Sequence, residues 1–318
     1  LRGKMKFNGL VVTDASHMVA MTSAMKRSEM LPTAIAAGSD LFLFFNDPDE
    51  DFEWMMEGYK NGIITDERLE EALTRILGTK AALGLHKKAK TEILPEKEVA
   101  MAKIGLEENK AIAKEVSDKA ITLVKNTQDV LPIAPEKTKR VLLVEAKGFD
   151  GGFGKFIEIM GGAKKKPIEI VKELLEAKGF DVEIWESPID KIMKLPKEEM
   201  AQALGNVYAG KRPIAELTSK YDLIINIANV NASVDQRLQW PPSKGTPDIP
   251  FYVNEIPTIF ISVKCPFHLA DVPQVTYINT YDDNQQTLEA LVEKLVGNTE
   301  FKGISPVDAF CGFGDTRF

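Results

Sequence analysis

Residues 9–13 (GLVVT) and 40–45 (DLFLFF) are strand-forming apolar runs, and each is followed by a stretch of helical periodicity. Strand, helix, strand, helix is parallel βαβ wiring, because parallel neighbours need a long crossover between them. Both runs are apolar on both faces, as suits a sheet covered twice. Two such strands cannot close a barrel or bury themselves. Residues 1–85 therefore read as the last part of a larger α/β domain, with open strand edges and exposed Leu, Val and Phe. Self-association through this incomplete layer is the expected consequence.

Within it, residues 28–37 form a helical pattern in which Pro32 is tolerable only in the first turn. Asn46-Asp47-Pro48-Asp49 is a dense turn signal, followed by a helix over 51–61 and another capped by Thr65. In the last, Leu69, Ala72, Leu73, Ile76 and Leu77 fall on one apolar stripe, and Gly84 takes a position just past the helix end. Residues 86–116 are rich in Lys and Glu and read as a helical connector, with the KKAK run at 87–90 a solvated face.

A second domain is expected over 117–318. Its candidate strands are 120–125, 140–146, 182–186, 222–230, 258–263 and 275–279, with helices at 168–178, 197–204 and 285–296. In the last helix Leu288, Leu291, Val292 and Leu295 make the buried stripe and Gly297 the stop. This pattern predicts an α/β/α sandwich around a mostly parallel sheet. The fold class is thus α/β, a two-unit remnant of a larger strand-helix domain followed by a sandwich.

Composition narrows the function. A net charge of −7 over 318 residues supplies no basic field for nucleic acid, and no apolar stretch approaches the length of a membrane span. Two cysteines, Cys265 and Cys311, make no disulfide framework. The chain starts Leu1-Arg2-Gly3-Lys4, without Met or a leader of the secretory kind, which reads as an internal cut. Compartment is not read from that end; a cytoplasmic setting is the default expectation.

The chemistry-bearing patterns are few. The Gly-rich segment 148–154 fits neither phosphate-loop template, since Ile157 stands where the dinucleotide motif needs Gly and Phe156 where a Walker loop needs Ser or Thr. His17, His86 and His268 are far apart and lack a second ligand at metal spacing, so no metal or cofactor is expected. His268 reads as structural. His17 is either a surface loop residue or a neighbour of substrate. Asp14 is the best single candidate: ligands of parallel α/β domains bind at the carboxyl ends of strands, and Asp14 ends the first one. A carboxylate there can serve as a covalent nucleophile towards a sugar carbon. As a bland alternative, Asp is also a good turn residue.

Taken in order, LRGKMKFNGLVVTDASHM, AIAAGSDLFLFF and NGIITDERLEEALTRILGTKAALGL resemble glycoside hydrolase family 3. Further on, AITLVKNTQDVLPI, IPTIFISVKCPFHLADVPQVTYINTY and FKGISPV resemble that family's C-terminal sandwich domain, in the branch of two-domain bacterial β-N-acetylglucosaminidases. The resemblance implies that residues 1–85 are the last two strand-helix units of a (β/α)₈ barrel. It also implies that Asp14 is the nucleophile of a retaining mechanism, acting on a β-linked amino-sugar glycan or a small glycoside. In that branch the acid/base is a His–Asp pair on a barrel loop upstream, with no counterpart here, so the chain alone is expected to be inactive.

In the sandwich, Arg237 and Trp240 of VNASVDQRLQW follow a strand's carboxyl end and would suit a sugar as bidentate donor and stacking face. They could equally be an ion-pair partner and a packing residue. A β-glucosidase of the same family is the sibling reading. A non-catalytic carbohydrate-binding or assembly module is the alternative from another class.

Overall fold

A computed structural model of the chain describes residues 1–146, 165–209, 213–230, 252–271 and 274–314. It divides into two compact units, Leu1–Ile104 and Gly105–Phe318. The division falls inside the stretch read as a connector, because the helix Glu107–Ala120 runs unbroken into the second unit.

All six strands expected in the second unit form one sheet: β1 (Thr122–Asn126), β2 (Arg140–Ala146), β3 (Asp181–Ile184), β4 (Leu223–Ala228), β5 (Thr258–Ser262) and β6 (Thr276–Asn279). Their order is β1-β6-β5-β4-β2-β3, parallel throughout except for β1, which runs antiparallel to β6. Every residue of β4, β5 and β6 is buried, which is why LIINIA, TIFIS and TYIN are apolar or small on both faces. β3, at the edge, is only half-buried and alternates.

One face of this sheet packs against two helices. Pro167–Ala177 has Pro167 in its first turn, and the Glu169 carboxylate accepts from the Lys166 N–H at 3.1 Å. Gln285–Leu295 is capped by Asn284, whose side chain accepts from the Thr287 N–H at 2.8 Å. Leu288, Leu291, Val292 and Leu295 are fully buried in the core beneath, with Leu143, Ile225 and Ile261. The other face is covered around Leu142, Val144 and Ile224 by Tyr221 and Ile256, with Leu217 of the helix Ile214–Lys220 packed alongside. The last turn of Glu107–Ala120 fastens to Gln285–Leu295: Thr287 Oγ1 donates to Ser117 Oγ at 2.8 Å, and Lys294 reaches Asp118 at 2.7 Å.

The first unit keeps the expected strand-helix order but little of the ladder. Residues 9–13 and 40–45 make a single parallel bridge, Val12 to Leu41, instead of two strands. The pairing is nonetheless real: the Thr13 N–H donates to Leu41 O at 3.1 Å, and the Asp40 N–H donates to Val11 O at 2.7 Å. Among the described residues no third strand pairs with either, and a lone pair of short strands is marginal. Phe44, with φ at 52°, also breaks the extended run.

The longer helices that follow or intervene are Arg27–Ala36, Pro48–Lys60 and Asp66–Ala82. Pro32 is interior to the first, not in its opening turn, since the helix already starts at Arg27, five residues before it. The second starts three residues earlier than the sequence suggests, because the Asp47 carboxylate accepts from the N–H groups of Asp49 and Glu50 and Pro48 opens the turn. Thr65 caps the third, accepting from the Arg68 N–H at 3.2 Å, and Gly84 follows its end at φ 66°.

The apolar stripe of this third helix is not its buried face. Ala72 is buried, but Leu73 and Leu77 are 44% and 60% exposed, while Arg68 is buried. The reason lies in Asp40, which draws the arginines of the helix inward. Arg68 and Arg75, together with Arg2, converge on its carboxylate at 2.6, 3.4 and 2.5 Å. Burial pushes the Asp40 carboxyl up, but the Arg68 hydrogen bond, the Val11 N–H and the charges of Arg2 and Arg68 outweigh it and hold the group below the usual carboxylate range.

Candidate active site

The parallel bridge sets the geometry of everything at its carboxyl end. After Thr13 the chain turns out of the strand, and Asp14 is exposed there. One of its carboxylate oxygens, Oδ1, accepts from the N–H of Ala15 at 2.7 Å. This leaves a carboxylate presented at a strand end, oriented by its own loop.

Two residues on, the chain turns inward. Ser16 has no solvent exposure. Its hydroxyl donates to the carbonyl of Phe44, at the end of the neighbouring strand segment, and accepts from Arg27 Nη2 at 2.9 Å. Arg27 Nη1 also donates to Ser16 O at 3.2 Å. The rest of the guanidinium forks onto Asp51, with Nε to Oδ1 at 2.9 Å and Nη2 to Oδ2 at 2.6 Å. Asp51 Oδ2 in turn accepts from the Asn46 N–H at 2.9 Å. The guanidinium lies over the Phe42 ring, 5.9 Å from its centroid. The Arg27 hydrogen bond is the main reason that the Asp51 carboxyl is held below its ordinary value; the Asn46 N–H and the charges of Arg27 and His17 help, against the cost of burial.

His17 is exposed and stacks on Phe44, ring centroids 6.4 Å apart and planes inclined by 20°. The structure thus brings Asp14 and His17 onto one loop. Arg237 and Trp240 lie outside the described residues, as does the Gly-rich segment 148–154. His268 is buried in the second unit, where its Nδ1 meets Asp271 Oδ2 at 2.9 Å and its ring stands edge-on to Phe260. Cys265 is buried and burial pushes its thiol up, which makes it a poor nucleophile. Among the described residues no three His, Cys, Asp or Glu side chains gather as a metal site would require, and no helix is long and apolar enough to cross a membrane.

Sequence reasoning passed over Ser16, Arg27 and Asp51. Ser16 follows Asp14 so closely that it reads as loop, and Asp51 is one of four acids between 47 and 51. Only its place four residues beyond the Asp47 cap, on the inner side of the helix, distinguishes it. A shallow groove lined by Asn8, Glu71, Thr74, Arg75, Gly78 and Thr79 opens near Asp40, at the opposite end of the paired segments from Asp14.

A parallel bridge with helices between and after its strands is strand-helix wiring, and residues 1–79 match the glycosyl hydrolase family 3 N-terminal domain. That stretch of the chain is thus family 3 sequence. Over its whole length it is 38% identical to a β-N-acetylglucosaminidase/β-glucosidase of Cellulomonas fimi, covering 52% of that protein. A solved structure of a β-glucoside phosphorylase, BglX, is also 38% identical and superposes with a TM-score of 0.78, over 100% of this chain and 52% of that one. A family 3 β-N-acetylglucosaminidase from Paenibacillus sp. str. FPU-7, 19% identical, shares the fold over 97% of this chain and 52% of its own, with a TM-score of 0.63. The chain spans about half the length of these relatives.

Proposed function

We propose that these residues are part of a retaining family 3 enzyme that releases β-linked N-acetylglucosamine, with Asp14 as its nucleophile. The observation that carries this reading is the exposed Asp14 carboxylate at the end of the bridged strand, inside the family 3 segment. In the first step a carboxylate oxygen of Asp14 bonds to the anomeric carbon as the bond to the leaving oxygen breaks, and a proton donor protonates that oxygen. In the second, water attacks the anomeric carbon, its proton passes to the same donor group, and the Asp14 carboxylate is restored.

The proton donor is assigned to residues outside these 318, so this chain alone should be inactive. His17 lies near enough to Asp14 in sequence to touch substrate, but its ring rests on Phe44 and it is given a binding role only. Arg237 and Trp240 are proposed as further substrate contacts. Val12, Leu41, Leu43, Phe44 and Phe45 are all exposed large apolar side chains. The missing strands of the barrel would cover them in the complete enzyme, and a second copy would cover them in the isolated chain.

A second reading is favoured by the BglX relative, which is called a β-glucoside phosphorylase and is as identical to this chain as the C. fimi enzyme. The glycosyl-aspartate would form in the same way, from a glucoside, and phosphate would take the place of water in the second step. Assay of the complete enzyme on nitrophenyl-N-acetylglucosaminide and nitrophenyl-glucoside, with and without inorganic phosphate, separates the cases. Preference for the amino sugar supports our reading, and a clear preference for glucose sinks it. Sugar phosphate as the product would make phosphate the acceptor. Binding of N-acetylglucosamine oligomers by the complete protein, with no turnover of either substrate, would point to a carbohydrate-binding module.

A further inference from the structure

Asp14 makes one hydrogen bond within its own loop, to Ala15, which cannot by itself fix where the carboxylate points. What holds that loop is the buried set beneath it. Ser16 ties the loop to the end of the neighbouring strand segment through Phe44 O, and Arg27 grips both the hydroxyl and the carbonyl of Ser16. Asp51 holds Arg27 by a two-pronged pair, and through the Asn46 N–H it holds the other loop as well. The set therefore joins both strand-end loops and the starts of two helices, Arg27–Ala36 and Pro48–Lys60. The groups are well shielded, with side-chain exposure of 15% for Arg27 and 6% for Asp51.

This is more than a fold needs at a solvent-facing strand end. Surface loops ordinarily satisfy their polar groups with water, and burying an arginine-carboxylate pair recovers its desolvation cost only when the geometry is this complete. Such an expense is understandable where a reacting atom must be held to within a fraction of an ångström. We infer that Ser16, Arg27 and Asp51 are positioning residues for the Asp14 nucleophile, setting the height and direction of its carboxylate from below. The inference rests on the proposed role of Asp14.

The geometry separates this role from simple support. Ser16→Ala removes one hydroxyl and little volume, so the loop loses its tie to Phe44 O and one of its two bonds to Arg27, keeping the one through the Ser16 carbonyl, while the helices keep theirs. Arg27→Lys keeps the charge but cannot span Ser16 and Asp51 together. Thr65→Ala serves as the control, since it removes a helix cap far from the loop and lowers stability without touching Asp14.

The test is made in the complete enzyme. Steady-state kinetics are measured together with the rate at which a 2-fluoro sugar with a good leaving group labels the protein, the label being located by mass spectrometry. In Ser16→Ala and Arg27→Lys, kcat and the labelling rate should both fall by about 10- to 100-fold, the cost of a misplaced reacting group. KM should stay within about threefold, because substrate binding is not what the set controls. Thr65→Ala should lower the melting temperature and leave the kinetics of folded enzyme unchanged. Unchanged kcat and labelling rate in both loop variants would overturn the inference. So would a loss of activity that only tracks the unfolded fraction, with the surviving enzyme labelled at the wild-type rate. A wild-type enzyme that labels at a residue other than Asp14 overturns the reading of Asp14 itself, and the inference with it.

Discussion

Arg68 donates to Asp40 across 2.6 Å, and the carboxyl it holds has no exposure to solvent. Asp40 opens the second strand segment and Arg68 lies near the start of the helix Asp66–Ala82, so this pair fastens helix to strand. Arg2 and Arg75 complete the cluster. Asp40→Asn would leave three guanidinium groups with only the partly exposed Glu71, which pairs with Arg68 and Arg75, to balance them. Breaking a buried pair by removing one partner costs about 3–5 kcal/mol. Hydrogen exchange over residues 66–82 should accelerate by ~10²-fold or more, as such a loss implies, while residues 285–295 keep their protection. Equal protection in wild type and variant would mean that the cluster contributes nothing to the first unit.

Asp40 and Asp51 make the first unit acid-sensitive. Both carboxyls are held below the ordinary value in the folded chain. A depressed folded-state value gives stability that is fully present above the unfolded value of about 3.9 and is lost as pH falls through the folded one. Exchange protection over residues 27–36 and 66–82 should therefore be flat above about pH 5 and drop as pH falls below about 4. Asp51→Asn should flatten the response in 27–36. A loss of protection that begins near neutral pH would assign the sensitivity to some other group.

Gly58 marks the contact between two helices of the first unit. A Cβ built there would stand 2.2 Å from the Pro32 Cβ and 2.8 Å from its Cγ. Pro32 sits inside its helix without an N–H to donate, and its ring is the surface against which Pro48–Lys60 packs. Gly58→Ala forces the two helices apart and should cost about 1–3 kcal/mol. Thermal unfolding read at Trp54, with Trp185 and Trp240 replaced by Phe, reports it; an unchanged midpoint would show that the helices can slide.

The second unit has a corresponding close approach at Gly303. A Cβ there would lie 2.4 Å from the Ala120 carbonyl oxygen and 2.6 Å from that of Ile121. These are backbone atoms at the start of β1 and cannot rotate away. Gly303→Ala should detach the FKGISPV segment, leaving β1 to β6 paired. Exchange over 299–308 should rise with little change at 223–228; matching loss in both would mean the segment is integral to the sheet.

How much of this could be read beforehand differs between the two units. The sheet of the second was legible almost strand by strand, because β4, β5 and β6 are buried on both faces and β2 nearly so, and continuous apolar runs such as LIINIA admit few other readings. The helix at 285–295 was equally clear, its stripe of Leu288, Leu291, Val292 and Leu295 being its buried face. In the first unit the apolar runs at 9–13 and 40–45 were visible, but a run does not reveal how many neighbours it has. Leu73 and Leu77 read as core and are exposed, because the pull of Asp40 on Arg68 and Arg75 decides which face turns inward. Asp14 stood out as a candidate from its place at a strand end. Ser16, Arg27 and Asp51 did not, since the hydrogen bonds that link them to one another and to Phe44 span 11 to 28 residues and no local pattern encodes them.

The central claim is that Asp14 attacks the sugar. Treating the complete enzyme with a 2-fluoro sugar, digesting it and sequencing the labelled peptide by mass spectrometry tests this most directly. The account predicts one label per chain, on Asp14 within Val12-Thr13-Asp14-Ala15, and none in Asp14→Asn. A label on another carboxylate, with Asp14→Asn still active, would contradict it and leave Asp14 as the residue that turns the chain after its strand.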